Sequence, residues 1–147
     1  MPVEDVPAWL VSIKTEYVLS RMKSGESAAE ANSAADKSFA LHFPSGKLRE
    51  HHLAYDVFAD DEIVGYVWIG PQVDSKFDKW WVWDVEIFEP FRRRGYGRDA
   101  MILAEQKAKS AGAVELGLNV FGYNTGARSL YESMGYEPTS IRMTKIL

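Results

Sequence analysis

The first 43 residues place their apolar side chains at a helical period. Trp9, Leu10, Ile13, Tyr17 and Leu19 recur every three or four positions, and Gly25 closes the run. Ser27 to Phe43 is rich in alanine and stops at Pro44-Ser45-Gly46. The period then changes to two. Leu53 to Ala59 alternates, Asp60-Asp61 makes a turn, and Glu62 to Ile69 returns, which predicts a hairpin. Gly70 to Lys79 reads as a polar loop and Trp80 to Phe88 as a long strand. A helical pattern resumes from Tyr96 to Ser110, with Ala100, Leu103, Ala104 and Ala108 facing inward, and Ala111-Gly112 ends it. Val114 to Val120 is the next strand, so this strand–helix–strand unit predicts a parallel, right-handed crossover. Asn124 caps a short helix that runs to Met134 and ends at Gly135. Ile141 to Leu147 reads as a final strand.

This order predicts an α/β (α+β) fold in which a mixed, mostly antiparallel, twisted sheet has helices on both faces. With 147 residues the chain suits one domain, residues 1–147, without linkers or repeats. No apolar run is long enough to span a membrane, and Met1 to Leu10 lacks the basic start and apolar core of a signal peptide. The absence of cysteine excludes a disulfide framework and a thiolate nucleophile, and points to the cytoplasm. A net charge of -4 argues against a nucleic-acid partner.

Against that acidic background one stretch stands out. Arg92-Arg93-Arg94-Gly95-Tyr96-Gly97-Arg98 sits between a strand and a helix start. The glycines let backbone approach a ligand closely, and the helix start offers N–H groups and a dipole that favour an anion. Arginines beside those donors suit a pyrophosphate. Gly95-x-Gly97-x-x-Ala100 also satisfies the dinucleotide-binding fingerprint. That fold needs an acid near the end of the next strand, but Glu115, the only acid there, stands at its beginning. Only about 50 residues remain for the further strand–helix units such a fold requires.

Two motifs decide between these readings. Arg92-x-x-Gly95-x-Gly97 comes directly after a strand, and Asn124-x-x-Ala127-x-x-Leu130-Tyr131-x-x-x-Gly135-Tyr136 lies further along the chain. Together they resemble the GCN5-related N-acetyltransferase (GNAT) superfamily. The leading helix pair, Trp68-Ile69 after the hairpin and Glu89-Pro90-Phe91-Arg92 resemble a bacterial subgroup of unassigned substrate. The family starts with a short strand, for which Met1 to Pro7 leaves little room.

The resemblance implies a set of roles. N–H groups of Arg94, Gly95, Tyr96, Gly97 and Arg98 would hold the coenzyme A pyrophosphate, with Arg92 and Arg93 nearby. Main-chain groups of Val85, Glu86 and Ile87 would pair with the pantetheine arm like an added strand. The parallel strands Trp80–Phe88 and Val114–Val120 would therefore splay apart at the acyl-CoA site. An N–H near Ile87 would stabilise the oxyanion of the tetrahedral intermediate. Asn124 would contact the pantetheine. Tyr131 would lie near the thioester sulfur as general acid. Spacing alone reads Tyr131 as packing, on one face with Ala127, Leu130 and Met134. Transfer of its proton to a thiolate is uphill by roughly 2 kcal/mol, so a hydrogen bond that strengthens with sulfur charge describes the role better.

A base is harder to find. Having a lysine-like amine neutral at pH 7 costs about 4.6 kcal/mol, against about 1 kcal/mol for an α-amino group. The resemblance implies that some relatives carry a His or Glu on the strand before the glycine loop, where this chain has Trp81 and Trp83. Asp84 and Glu86 lie beyond them with side-chain parity opposite to the two tryptophans. Asp84 matches an acid of the resembling motif and suits water-mediated proton transfer, amine holding or a structural hydrogen bond. Glu86 reads equally well as a salt-bridged strand residue. Tyr66, Trp68, Trp81 and Trp83 suit cross-strand aromatic contacts or an acceptor pocket for a cationic amine. His51 and His52 are adjacent and point to opposite strand faces, so they do not share a metal; His42 ends a helix.

The expected activity is transfer of acetyl from acetyl-CoA, as co-substrate, to a primary amine on a small molecule or peptide. Transfer is direct, since no cysteine carries the acyl group. No metal is called for, and a homodimer is compatible with the sequence. The other reading is a GNAT-like module that binds acyl-CoA as sensor or partner without turnover.

Overall fold

The computed structural model describes residues 1–73 and 77–147. Two helices come first: α1 is Val6–Lys23 and α2 is Ala28–His42. Their starts obey local chemistry. Pro7 lies in the first turn of α1, where its missing N–H costs no helix bond. Ser27 closes a capping box on α2: its hydroxyl accepts from Glu30 N–H at 3.3 Å, and Glu30 Oε2 accepts from Ser27 N–H at 2.9 Å.

Three antiparallel strands and one parallel strand form a sheet in the order β1-β2-β3-β4. They are β1 (Leu53–Ala59), β2 (Glu62–Pro71), β3 (Lys79–Ile87) and β4 (Glu115–Leu118). The β1–β2 hairpin turns through Asp60, whose φ of 53° lies in the left-handed region. Helix α3 (Tyr96–Ser110) makes the crossover to β4, and α4 (Thr125–Ser133) comes after it. Part of the expected 70–79 loop, residues 74–76, lies outside the described residues.

The sheet is covered on both faces, as expected. On one face α3 packs Met101, Ala104 and Ala108 against Val67, Ile69, Trp80 and Val82. Leu103, expected inward, is half exposed, and Met101 takes the core position. On the other face α1 and the end of α2 pack Val6, Trp9, Ile13 and Phe43 against Tyr66 and Trp68. Full burial of side chains such as Ile69 and Met101 contributes about 1.5–3 kcal/mol each.

At the two ends of the chain, one expectation about strands holds and one is corrected. Residues 3–5 form a turn, with Asp5 N–H bonded to Pro2 O at 3.1 Å, and no strand precedes α1 among the described residues. Ile141–Leu147 is not a strand either. Ile141, Met143, Ile146 and Leu147 are 70–109% exposed. Their spacing breaks the period of two, so no single face can be buried against the sheet.

Candidate active site

The pairing of β3 and β4 is short. It runs from Lys79↔Glu115 to Val82↔Leu118 and stops. Beyond that point β3 continues to Ile87, paired with β2 alone. The expected splay is therefore present. Main-chain groups of Val85, Glu86 and Ile87 lie past the last β3–β4 pair. The Ile87 carbonyl accepts from Arg92 Nε at 2.7 Å.

A register shift on β2–β3 changes which side chains meet. Trp68 pairs with Asp84, whereas Ile69 pairs with Val82, so Trp83 is an extra residue on β3. Strict alternation, the basis of the expected parity, fails here. Trp83 packs on the α1/α2 face, and Asp84 and Glu86 reach Tyr66, a core residue of that same face. Trp83 and both acids thus share one face. The Tyr66 hydroxyl lies 2.9 Å from Asp84 Oδ2 and 3.3 Å from Glu86 Oε2. Glu86 Oε1 pairs with Arg92 at 3.3 Å. Burial pushes the Asp84 carboxyl up to about 6; the Tyr66 hydrogen bond opposes this, and the charges of Glu86 and of Glu16 on α1 add to it. Burial, then the two carboxylates, push the Tyr66 hydroxyl well above the usual phenol range. Tyr66 is legible in the sequence only as an aromatic; its role depends on standing opposite Glu86, a register fixed by the hairpin.

The arginine loop enters α3 through two left-handed residues, Arg93 at φ 64° and Gly95 at φ 94°. Gly95 O accepts from the N–H groups of Arg98 and Asp99, so the N–H groups of Tyr96 and Gly97 precede the helical ladder. The arginines divide their work. Arg92 ties the loop to β3, and Arg98 ties α3 to α4 through Ser133 Oγ at 2.6 Å. Arg93 and Arg94 are exposed, with the Arg94 guanidinium 6.0 Å from the Phe91 ring. A Cβ on Gly97 would meet Leu130 at 3.4 Å and Ile87 at 3.8 Å, so α3 and α4 approach closely there.

Asn124 caps α4, its side chain accepting from Ala127 N–H at 3.3 Å. Tyr131 projects from α4 onto the α3-side core and meets Tyr136 with ring centroids 6.0 Å apart. Its hydroxyl has no hydrogen-bond partner among the described residues. Burial raises its pKa, and the charge of Asp84 raises it further. Tyr131 and Asp84 are therefore electrostatic neighbours although their side chains belong to opposite faces of the sheet.

The histidines are structural neighbours of this region. His52 Nδ1 accepts from Trp68 Nε1 at 3.1 Å, and His52 also bonds the Pro71 backbone. A Cβ on Gly70 would strike that imidazole at 2.6 Å. Trp83 lies between, with ring centroids 4.0 Å from His42 and 5.8 Å from Trp68. Trp81, by contrast, stacks over Gly117 of β4, where a Cβ would collide with its ring. The expected cross-strand aromatic contact is made by Trp68 and Trp83, whereas Tyr66 meets Trp9 of α1 at 5.6 Å.

The chain as a whole has counterparts among known proteins. Residues 18–136 match the model of the acetyltransferase (GNAT) family. The chain belongs to that family. The uncharacterized N-acetyltransferase YycN of Bacillus subtilis is 30% identical over 149 residues, which cover 100% of this chain and 96% of YycN. The crystal structure of YycN superposes with a TM-score of 0.89 at 29% identity, covering 100% of this chain and 95% of that one. AAC(6')-Iy, solved with the bisubstrate analogue CoA-S-monomethyl-acetylneamine, shares the fold with a TM-score of 0.58 at 13% identity, over 84% of this chain and 82% of that one. This GNAT protein is thus an acetyltransferase. Among the described residues, no helix is long and apolar enough to cross a membrane.

Proposed function

We propose that this GNAT acetyltransferase moves acetyl from acetyl-CoA directly to a primary amine, on a small molecule or a peptide. The observation that carries this reading is the end of β3–β4 pairing at Val82↔Leu118. Directly past it on β3 come Asp84 and the main chain of Val85, Glu86 and Ile87, and Tyr131 lies near enough to feel the Asp84 charge. The main chain of Val85 to Ile87 takes the pantetheine arm, and Asn124 borders it. The open N–H groups at the start of α3, with Arg93 and Arg94, take the pyrophosphate. Arg92 and Arg98 hold that loop in shape.

In the reaction the amine nitrogen attacks the thioester carbonyl, and an N–H near Ile87 stabilises the oxyanion. Asp84 takes the surplus proton from the nitrogen. The carbon–sulfur bond then breaks, and Tyr131 donates a hydrogen bond to the departing thiolate. A carboxyl raised to about 6 is ionised at neutral pH and still basic enough to help. The rate therefore rises with pH through about 6, and rises again where the acceptor amine loses its proton. The reading includes a cytoplasmic, bacterial setting.

The experiment is release of coenzyme A thiol from acetyl-CoA by the purified protein across a panel of diamines, amino acids, aminoglycosides and peptide N-termini. Acetylated product from any amine is expected. Tight acetyl-CoA binding without thiol release across the panel would leave a binding module. Asp84→Asn sharpens the assignment. A loss of kcat by about 100-fold or more marks proton transfer, and a loss confined to acceptor KM marks amine holding.

A further inference from the structure

We propose that Tyr66 and Glu86 form the exit path for the proton that Asp84 takes from the acceptor amine. This deepens the reading of Asp84 given above and rests on it. A partly buried carboxyl that gains a proton in each turnover must lose it before the next. The Tyr66 hydroxyl stands between two carboxylates, 2.9 Å from Asp84 Oδ2 and 3.3 Å from Glu86 Oε2. It has one hydrogen and two acceptors, so it donates to one at a time. While Asp84 is ionised, the shorter contact holds that hydrogen. Once Asp84 carries the amine proton, it becomes a donor itself. Its O–H then points at the Tyr66 oxygen, and the Tyr66 hydrogen turns to Glu86.

Each proton is accounted for. The Asp84 O–H bond breaks as a new O–H bond forms on Tyr66. The former Tyr66 O–H bond breaks as one forms on Glu86 Oε2. Asp84 is again a carboxylate and Tyr66 again a neutral phenol. Burial and both carboxylates oppose a tyrosinate at Tyr66, so the two transfers are coupled. Glu86 then gives the proton to water. Its side chain is 32% exposed, and Oε1 is held by Arg92, which leaves Oε2 toward Tyr66. The geometry is set by the strands: Glu86 stands directly opposite Tyr66, and Asp84 lies two residues away on the same face. The groups that face Asp84 are Tyr66 from β2, Glu86 from β3 and Glu16 from α1, and Tyr131 of α4 feels its charge from the other face of the sheet.

The test separates the first turnover from later ones, with protein loaded with acetyl-CoA and mixed with an acceptor that the panel has identified. An exit path is needed only after the first proton has been taken. Tyr66→Phe keeps the ring and removes the link; Glu86→Gln keeps a hydrogen-bond acceptor but cannot carry the proton. At about pH 8.5, where Asp84 stays ionised even without the Tyr66 hydrogen bond, both variants should complete the first turnover within about threefold of the wild-type rate, then run about 10- to 100-fold more slowly. Added formate, a small diffusible base, should restore the later turnovers and leave the wild type unaffected. Glu86→Gln, at a partly exposed position, carries the test if Tyr66→Phe loses its fold by circular dichroism. Equal slowing of first and later turnovers, without rescue by formate, makes Tyr66 a packing residue and overturns the proposal. So do unchanged steady-state rates. A wild-type protein that acetylates no amine overturns the parent reading, and the exit path with it. A wild type that turns over beside variants without a burst overturns the exit path alone.

Discussion

The two faces of the sheet are built from different chemistry. Toward α3, Val67, Ile69 and Val82 meet Met101 and alanines, and the one buried polar atom of Trp80 bonds the Phe77 carbonyl at 3.1 Å. Toward α1 and α2, Trp9, Tyr66, Trp68 and Trp83 surround Asp84, His42 and His52. Several polar atoms there, including Trp9 Nε1, Trp83 Nε1 and His42 Nδ1, are buried without a hydrogen-bond partner. Such groups cost stability. The α3 face therefore supplies cohesion, and the α1/α2 face spends part of it on holding ionisable groups beside the splayed strands. Changes among the aliphatic core side chains of the first face should act on stability; changes on the second face, and at Tyr131 at the margin of the first, should act on pH response and rate.

The largest expected effect is on the α3 face. Met101 is fully buried, so Met101→Ala should cost about 2–5 kcal/mol in a denaturant titration. The acetylation rate per folded molecule should stay near wild type. A large rate loss in the folded fraction would break the division between the faces.

Next comes the pH response of the α1/α2 face. Burial holds His42 and His52 down to about 4, with Arg49 adding to it for His42 and the His42 charge for His52. The unfolded chain takes up these protons near 6.5, and the native protein does so only near 4. The stability they contribute is thus complete above about pH 6.5 and is lost as pH falls toward 4. Asp84 acts in the opposite sense, because its raised pKa favours the native state at low pH, but it is one carboxyl against two imidazoles. The melting temperature should fall between about pH 7.5 and about pH 5, values on either side of the ordinary imidazole range. A flat profile would show that the imidazoles are less enclosed than their surroundings imply.

A smaller effect is expected at the arginine loop. Arg94→Ala should weaken coenzyme A binding by about fivefold in calorimetry, and added salt should shrink that difference. Least of all, Glu132→Gln removes an exposed pair with Arg128 within α4 and should change stability by about 0.3–0.5 kcal/mol.

Much of this organisation is legible in the chain itself. The helices, the hairpin and the crossover are encoded by apolar spacing and by Gly, Pro and Asn at their ends, which are local signals. The arginine–glycine loop is legible for the same reason, because its ligand chemistry is written in consecutive residues. The bulge at Trp83 is not, since one inserted residue leaves the alternation looking regular while moving Asp84 and Glu86 to the other face of the sheet. The role of Tyr66 is hidden by the same limit, because its partners come from the neighbouring strand. The apolar content of Ile141–Leu147 suggests a strand, but its apolar positions do not keep a period of two, so no single face of it can be buried.

The account stands most directly on Tyr131, the one side chain assigned to the departing sulfur. Tyr131→Phe keeps the ring and its packing against Tyr136 and removes only the hydroxyl. The decisive measurement is the single-turnover rate of acetyl transfer by this variant loaded with acetyl-CoA. The account predicts unchanged coenzyme A affinity and a rate about 10- to 1000-fold below wild type. An unchanged single-turnover rate would contradict it and leave Tyr131 as a packing residue.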